Sequence, residues 1–254
     1  MKVEVETEDR VYSYETLQMI KNRFYIIGKE VKNKTLLDIG CGSGLGVDYL
    51  FGQGLREYTG IDLSVSNLKK AKKNITNKNI TLQNIDFLKM KERKYDVIIA
   101  MQVLQYITIK PFLTKMKNML NTKGTLIVSI PNFDRKDGFV KSKLSKAYYS
   151  YKELSSEFSK LGKTKVYGVF KVSVNKSVDK KITLKNKISK VLYPFSLFKK
   201  LINFYRVYVL KKGHYLEKMK TSDIWNYGLD KIYLDEINEN NYMDYKIYYV
   251  IVKR

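Results

Sequence analysis

Three glycines at alternate positions, Gly40, Gly42 and Gly44, lie between an apolar run ending in Asp38 and Ile39 and the helix-like stretch from Val47 to Phe51. Residues without side chains at that spacing let the chain bend sharply and let a ligand approach the bare backbone. Asp62 follows 22 residues after Gly40, at the end of a second apolar run that begins at Tyr58. A carboxylate so placed accepts hydrogen bonds from ribose hydroxyls. These residues point to binding of a nucleoside-containing ligand. The dinucleotide fingerprint, with glycines first, third and sixth, fails here, because Leu45 or Val47 occupies the sixth position.

The elements that must hold these residues can be read around them. Leu36 to Ile39 gives a buried strand and Tyr58 to Ser64 a second, while Ile80 to Phe87 gives a third that ends in Asp86. Tyr95 to Gln102 is a fully apolar fourth strand, and Gly124 to Asn132 a fifth, with a helix over Lys110 to Leu120 between them. Strands separated by helices imply a doubly wound α/β fold whose ligands bind beyond the carboxyl ends of the strands. A helix through Tyr148 to Gly162, a sixth strand over Thr164 to Ser173 and a final antiparallel strand over Lys246 to Arg254 complete a mostly parallel seven-stranded sheet. The chain accordingly divides into an N-terminal helical cap (1–34), an α/β core (35–173), a basic and largely helical insertion (174–240) and a closing strand (241–254).

The pattern Asp-x-Gly-x-Gly-x-Gly from Asp38 to Gly44 resembles the first motif of class I methyltransferases dependent on S-adenosylmethionine (SAM). The resemblance covers residues 20 to 173 and the last strand. It implies a Rossmann-like methyltransferase fold with SAM as cofactor. It also implies a set of cofactor contacts: Asp38 at the methionine amino group, Gly40, Gly42 and Gly44 beneath the ligand, Asp62 at the ribose with Leu63 beside it, and Asp86 and Phe87 at the adenine. Met101 and Gln102, which end the fourth strand at the same edge, complete the expected cofactor-binding set. The N-terminal helix from Tyr12 to Tyr25 would close over the cofactor, with Arg23 facing either the methionine carboxylate or solvent.

Composition bounds the rest. The 254 residues include 48 Lys or Arg against 25 Asp or Glu, a formal net charge of +23. The excess gathers between Lys171 and Lys220, where Asp179 and Glu217 are the only acids. Such a segment suits a polyanion, either an anionic membrane surface or, as second choice, RNA. Within it Ile188 to Leu210 carries apolar residues at spacings of three and four, broken near Pro194, as a cap on its own domain or an interfacial helix would. No run of 18 apolar residues occurs and the charged N-terminus is unlike a signal peptide, so the expectation is a cytoplasmic protein, peripheral at most. One cysteine, Cys41, and one histidine, His214, provide neither an internal disulfide nor a Cys/His zinc site.

Methyl transfer from a sulfonium is an in-line displacement that chiefly requires alignment, so a catalytic side chain need not be conspicuous. Amino methylation of nucleic-acid bases would call for an Asn/Asp-Pro-Pro-aromatic loop after the fourth strand. Met101-Gln-Val-Leu-Gln-Tyr-Ile107 stands there instead, and the Pro131-Asn132 pair follows the fifth strand. The small-molecule enzymes that this region resembles usually carry Glu-His where this chain has Gln105 and Tyr106. That departure removes an imidazole base. Tyr106 is a candidate for orienting an acceptor hydroxyl or for packing on the sheet, and His214 is a candidate base. Asp134 and Asp137 follow the fifth strand as acceptor-side or turn residues. The reading favours a small-molecule or lipid- or glycan-linked hydroxyl acceptor. RNA methylation and a non-catalytic SAM-binding subunit are the alternatives.

Overall fold

The structure is a computed structural model, and it describes residues 11–139, 145–172, 213–215 and 234–254. In chain order it contains β1 (Val11–Ser13), α1 (Tyr14–Gly28), β2 (Thr35–Ile39), α2 (Val47–Gly52), β3 (Glu57–Ile61), α3 (Val65–Asn74) and β4 (Ile80–Gln83). There follow β5 (Tyr95–Met101), α4 (Ile109–Met119), β6 (Leu120–Pro131), α5 (Tyr151–Ser159), β7 (Lys163–Lys171), β8 (Gly213–Tyr215), β9 (Asp235–Glu236) and β10 (Tyr245–Lys253).

The main sheet has the strand order β4-β3-β2-β5-β6-β10-β7-β9. The five strands from β4 to β6 run parallel, and β10 lies antiparallel between β6 and β7. The expected seven strands are present, and the two-residue β9 adds an eighth at the β7 edge. Fully buried runs such as Thr35–Ile39 and Val97–Met101 explain why no polar alternation marks the central strands: both faces are covered.

Two apolar layers sandwich the sheet. On one face Leu37, Ile98, Val128 and Tyr248 pack with α4 and α5 through Phe112, Met116 and Phe158. On the other Leu36, Tyr58, Ile127 and Tyr249 pack with α1 through Ile20, Phe24 and Ile27. α5 starts at a reciprocal cap, in which Ser150 accepts from the Glu153 amide and the Glu153 carboxylate accepts from the Ser150 amide.

The N-terminal segment departs from the expected helix. Val11–Ser13 is extended and pairs antiparallel with β8, with Tyr12 opposite His214, and the helix begins only at Tyr14. Strand pairing satisfies backbone groups there that a first helical turn would leave without partners. The amphipathic stretch at 188–210 and most of the basic segment 171–220 lie outside the described residues.

Candidate functional site

The carboxyl ends of β2, β3 and β5 meet around the glycine turn. Gly40 donates its amide to the Ile61 carbonyl at 2.8 Å, and Cys41 donates to the same oxygen at 3.0 Å, so the turn is sewn to the end of β3. Gly40, Gly42, Gly44 and Gly46 all have positive φ. A Cβ at Gly40 or Gly44 would strike Val103 or Ile75, and one at Gly46 would lie 2.4 Å from the Phe24 ring. Gly42 differs, because a Cβ there would meet no atom of the described residues within 4 Å. The backbone at Gly42 therefore presents a bare, open face.

Asp62 stands directly beside that face. Its Oδ2 accepts from the Gly42 amide at 2.9 Å and its Oδ1 from the Ser64 amide at 2.8 Å. Asn67 Nδ2 also donates to Oδ1 at 3.5 Å, so Oδ2, with one partner, is the oxygen that retains acceptor capacity for a hydroxyl. Leu63 follows with 52% of its surface exposed, an apolar side chain held at the mouth by the end of β3. Asp86 caps the short 3₁₀ turn Phe87–Lys89 by accepting from the Leu88 amide at 2.9 Å. The Phe87 ring is 3% exposed and packs on Phe112 with centroids 5.6 Å apart, which leaves its backbone for a ligand. Leu88 is the exposed apolar residue of that turn. A three-residue turn offers no periodicity from which its inward side could be read.

Asp38 is buried, and the Tyr58 hydroxyl donates to its Oδ2 at 2.8 Å. Burial raises its pKa to about 6, against the opposing effects of the Tyr58 hydrogen bond and the Arg23 charge, while Asp62 pushes it further up. The geometry depends on Gly60, which lies opposite Asp38 in the β2/β3 register and leaves room for the Tyr58 ring to lean across. Sequence reasoning missed Tyr58. A tyrosine in an otherwise apolar strand was the available signal, since its buried hydroxyl requires a partner. Arg23 projects from α1, and its Nε is buried with no hydrogen-bond partner among the described residues. Burial also drives the Cys41 thiol far above its ordinary range, so it stays protonated, which suits a small residue filling the turn.

At the carboxyl end of β5, Met101 is buried, and Gln102 adopts the left-handed backbone at φ 59. Its amide donates to the Ser129 carbonyl at 2.9 Å and its Nε2 to the Ser129 hydroxyl at 3.2 Å. Gln105 is buried. It donates Nε2 to the Gln102 carbonyl at 2.8 Å and leaves Oε1 without a partner among the described residues. Its own carbonyl accepts from the amides of Lys146 and Ala147, drawing the segment before α5 over this edge. Tyr106 is 38% exposed.

The remaining candidates lie on other elements. His214 lies on β8, whose backbone pairs with β1. Asp137 is paired with Arg135 at 2.9 Å, whereas Asp134 is held up in pKa by burial and by Glu153. Asn132 is structural. Fully buried, it donates Nδ2 to the carbonyls of Tyr242 and Tyr245, both at 2.8 Å, and accepts from the Asp134 amide at 2.9 Å.

The chain belongs to the methyltransferase domain family, whose model matches residues 30–196, and its class is that of SAM-dependent methyltransferases. An uncharacterized protein of Methanocaldococcus jannaschii is 29% identical over 126 residues, which are 49% of this chain and 47% of that protein. The ubiquinone biosynthesis O-methyltransferase of Rickettsia bellii is 30% identical over 125 residues, 44% of this chain and 50% of that one. The chain thus spans about half the length of the curated relatives it matches. Among solved structures, phosphoethanolamine N-methyltransferase 2 of Haemonchus contortus, in complex with SAM, superposes with a TM-score of 0.55. It is 14% identical and covers 95% of this chain and 52% of that one, a likeness of fold alone.

Proposed function

We propose that this protein transfers a methyl group from SAM to a hydroxyl of a small-molecule or lipid- or glycan-linked acceptor. The observation that carries the cofactor half is the open face of Gly42 beside the Asp62 carboxylate, a space that a single Cβ would begin to fill. In this reading Asp62 takes the ribose hydroxyls, Leu63 lies against the adenine, and Asp38 and Arg23 receive the amino-acid end. The buried Arg23 Nε supports that last assignment, because a carboxylate would satisfy it. SAM supplies an activated methyl on a sulfonium. The chain's own residues then exclude water and align the acceptor oxygen behind the methyl.

The acceptor half is supported by the relatives named for O-methylation in ubiquinone biosynthesis and by the character of the β5 edge. Gln102, Gln105 and Tyr106 offer hydrogen bonds there but no carboxylate or imidazole, which suits positioning of a hydroxyl over proton abstraction by a strong base. Docking to an anionic surface belongs to the same proposal. Lys69, Lys70, Lys72 and Lys73 on α3 form no ion pair among the described residues and give the core a basic face independent of the segment 171–220.

The test is transfer of labelled methyl from SAM into a cell extract separated into lipid-extractable, small-molecule, RNA and protein fractions, with Asp62→Ala as control. Label in the lipid or small-molecule fraction, lost in the variant, is the expected result. Label confined to RNA, or SAM binding without transfer, overturns it.

A further inference from the structure

The two edges of the main sheet carry opposite charge. At the carboxyl edge acids stand at the strand ends: Asp62 after β3, Asp86 after β4, Asp134 after β6 and Asp244 before β10. Two bases that follow β6, Arg135 and Lys136, are paired with Asp137 and Asp244. At the amino edge the strands are entered through bases instead: Lys34 before β2, Arg56 before β3, Lys78 before β4 and Lys94 before β5, with Lys123 in the turn ahead of Gly124. Because β10 runs the other way, its end brings Lys253 to this same edge, opposite Lys163 at the start of β7. The acids there are already engaged. Glu30 pairs with Lys253 and Glu57 with Arg93, while Asp96 accepts from Thr35 and Asn121 and pairs with Arg56. Lys32, Lys78 and Lys123 are exposed and form no ion pair among the described residues. Their loops are laced together: the Asn33 amide donates to the Gly54 carbonyl at 2.8 Å, that of Arg56 to Lys34 at 3.0 Å and that of Tyr58 to Asn79 at 3.0 Å. Lys72 and Lys73 end α3, and Lys117 lies in the last turn of α4, where helix dipoles account for them. No such partner accounts for the loop lysines.

We propose that the amino edge of the sheet docks the protein on an anionic membrane surface, with the cofactor mouth turned toward the water. The strands from β4 to β7 spread the basic row over about 29 Å at ordinary spacing, as suits a planar field of headgroups. The unpaired bases in it are lysines, compact point charges without the planar fork that grips a phosphate in two places. Tyr25, the exposed ring in the last turn of α1, has the Lys29 ammonium 4.5 Å from its centroid, so that face is taken and not open to a stacked base. Lysine charge without an open stacking platform favours a headgroup layer over RNA. Seven residues of β5 set the mouth about 20 Å from the docked edge, so an acceptor reaches it from solution. Of the acceptors proposed above, this orientation selects the water-soluble ones. The inference rests on the methyl-transfer reading for the place of the mouth, and it deepens the docking part of that reading by naming the edge that docks.

The experiment is co-sedimentation of the full chain with vesicles of phosphatidylcholine containing phosphatidylserine. Lys32→Gln, Lys78→Gln and Lys123→Gln in one chain are expected to lower the partition coefficient by about a hundredfold, a factor of about five for each lysine. Vesicles of phosphatidylcholine alone should take up neither protein. Undiminished partition of the triple variant, or RNA binding that falls in the variant while vesicles bind nothing, overturns the membrane assignment. Orientation is read with an environment-sensitive dye attached at Lys78→Cys, which should respond to the vesicles, and at Leu88→Cys in the turn after β4, which should not. The reverse pattern overturns the orientation. The triple variant should bind S-adenosylhomocysteine in solution as the unsubstituted protein does, which shows that it is folded. Failure of the unsubstituted protein to bind S-adenosylhomocysteine would instead overturn the methyl-transfer reading and leave the vesicle result standing.

Discussion

Asp62 accepts a hydrogen bond from the backbone N–H of Gly42 through Oδ2 at 2.9 Å, tying the end of β3 to the turn after β2. The same carboxylate is thus both a strut for the glycine turn and the proposed ribose acceptor. Asp62→Ala should weaken S-adenosylhomocysteine by about 1.5–3 kcal/mol, the range for a hydrogen bond to a charged group. Asp62→Asn keeps one acceptor oxygen and should lose less. Titration calorimetry checks both, and undiminished affinity in Asp62→Ala would remove this residue from the site.

Gly42 and Gly46 should respond oppositely to the same substitution. Gly42→Ala meets no atom of the described residues, so it should cost only the left-handed backbone, roughly 1–2 kcal/mol, while blocking the cofactor. Gly46→Ala drives a methyl into the Phe24 ring at 2.4 Å and should cost about 3 kcal/mol or more. Chemical denaturation paired with cofactor titration separates the two. Equal stability loss in both variants would show that the space over Gly42 is not free.

The pH dependence follows from Asp38, whose pKa is raised from 3.8 to about 6. A carboxyl raised on folding binds a proton in the native state that the unfolded chain has already released. Its contribution to stability therefore falls as pH rises from about 4 to about 6 and is level beyond both limits. Affinity for the cofactor's ammonium should run the other way, growing as Asp38 ionises through pH 6 and then reaching a plateau. Calorimetry between pH 5 and 8 tests this, with Asp38→Asn expected to flatten the profile; a flat profile in the unsubstituted protein would exclude an ionised Asp38 from binding.

Asn132→Ala should be a stability variant only. It strips a buried donor from the Tyr242 and Tyr245 carbonyls and should cost about 2–3 kcal/mol, with cofactor affinity unchanged in the folded fraction. Thermal melting and titration read the two effects. A selective loss of methyl transfer in a fully stable variant would instead make Asn132 part of the acceptor site.

The sequence made the strands and glycine turn legible because β2, β5 and β6 are continuous apolar runs and Asp38 and Asp62 fall at strand ends. What it concealed depends on register and on sidedness. Tyr58 reaches Asp38 only because Gly60, not Tyr58, lies opposite Asp38 across the β2/β3 ladder. Tyr249 faces the α1 side only because β10 enters the sheet beside β6 in the register that pairs Tyr249 with Ser129. Phe87 could not be assigned a side because the turn holding it is shorter than one helical period. The three residues of β1 are too few to show an alternation, and their partner lies some two hundred positions away in the chain.

The placement of β10 has a consequence for synthesis. Residues 247–253 are bonded to 125–131 on one side and to 163–169 on the other. Until they leave the ribosome, β6 and β7 both display open hydrogen-bonding edges of nascent chain. The sheet therefore closes after translation of this segment and not alongside it, and the half-made protein is a natural client for chaperones that shield such edges.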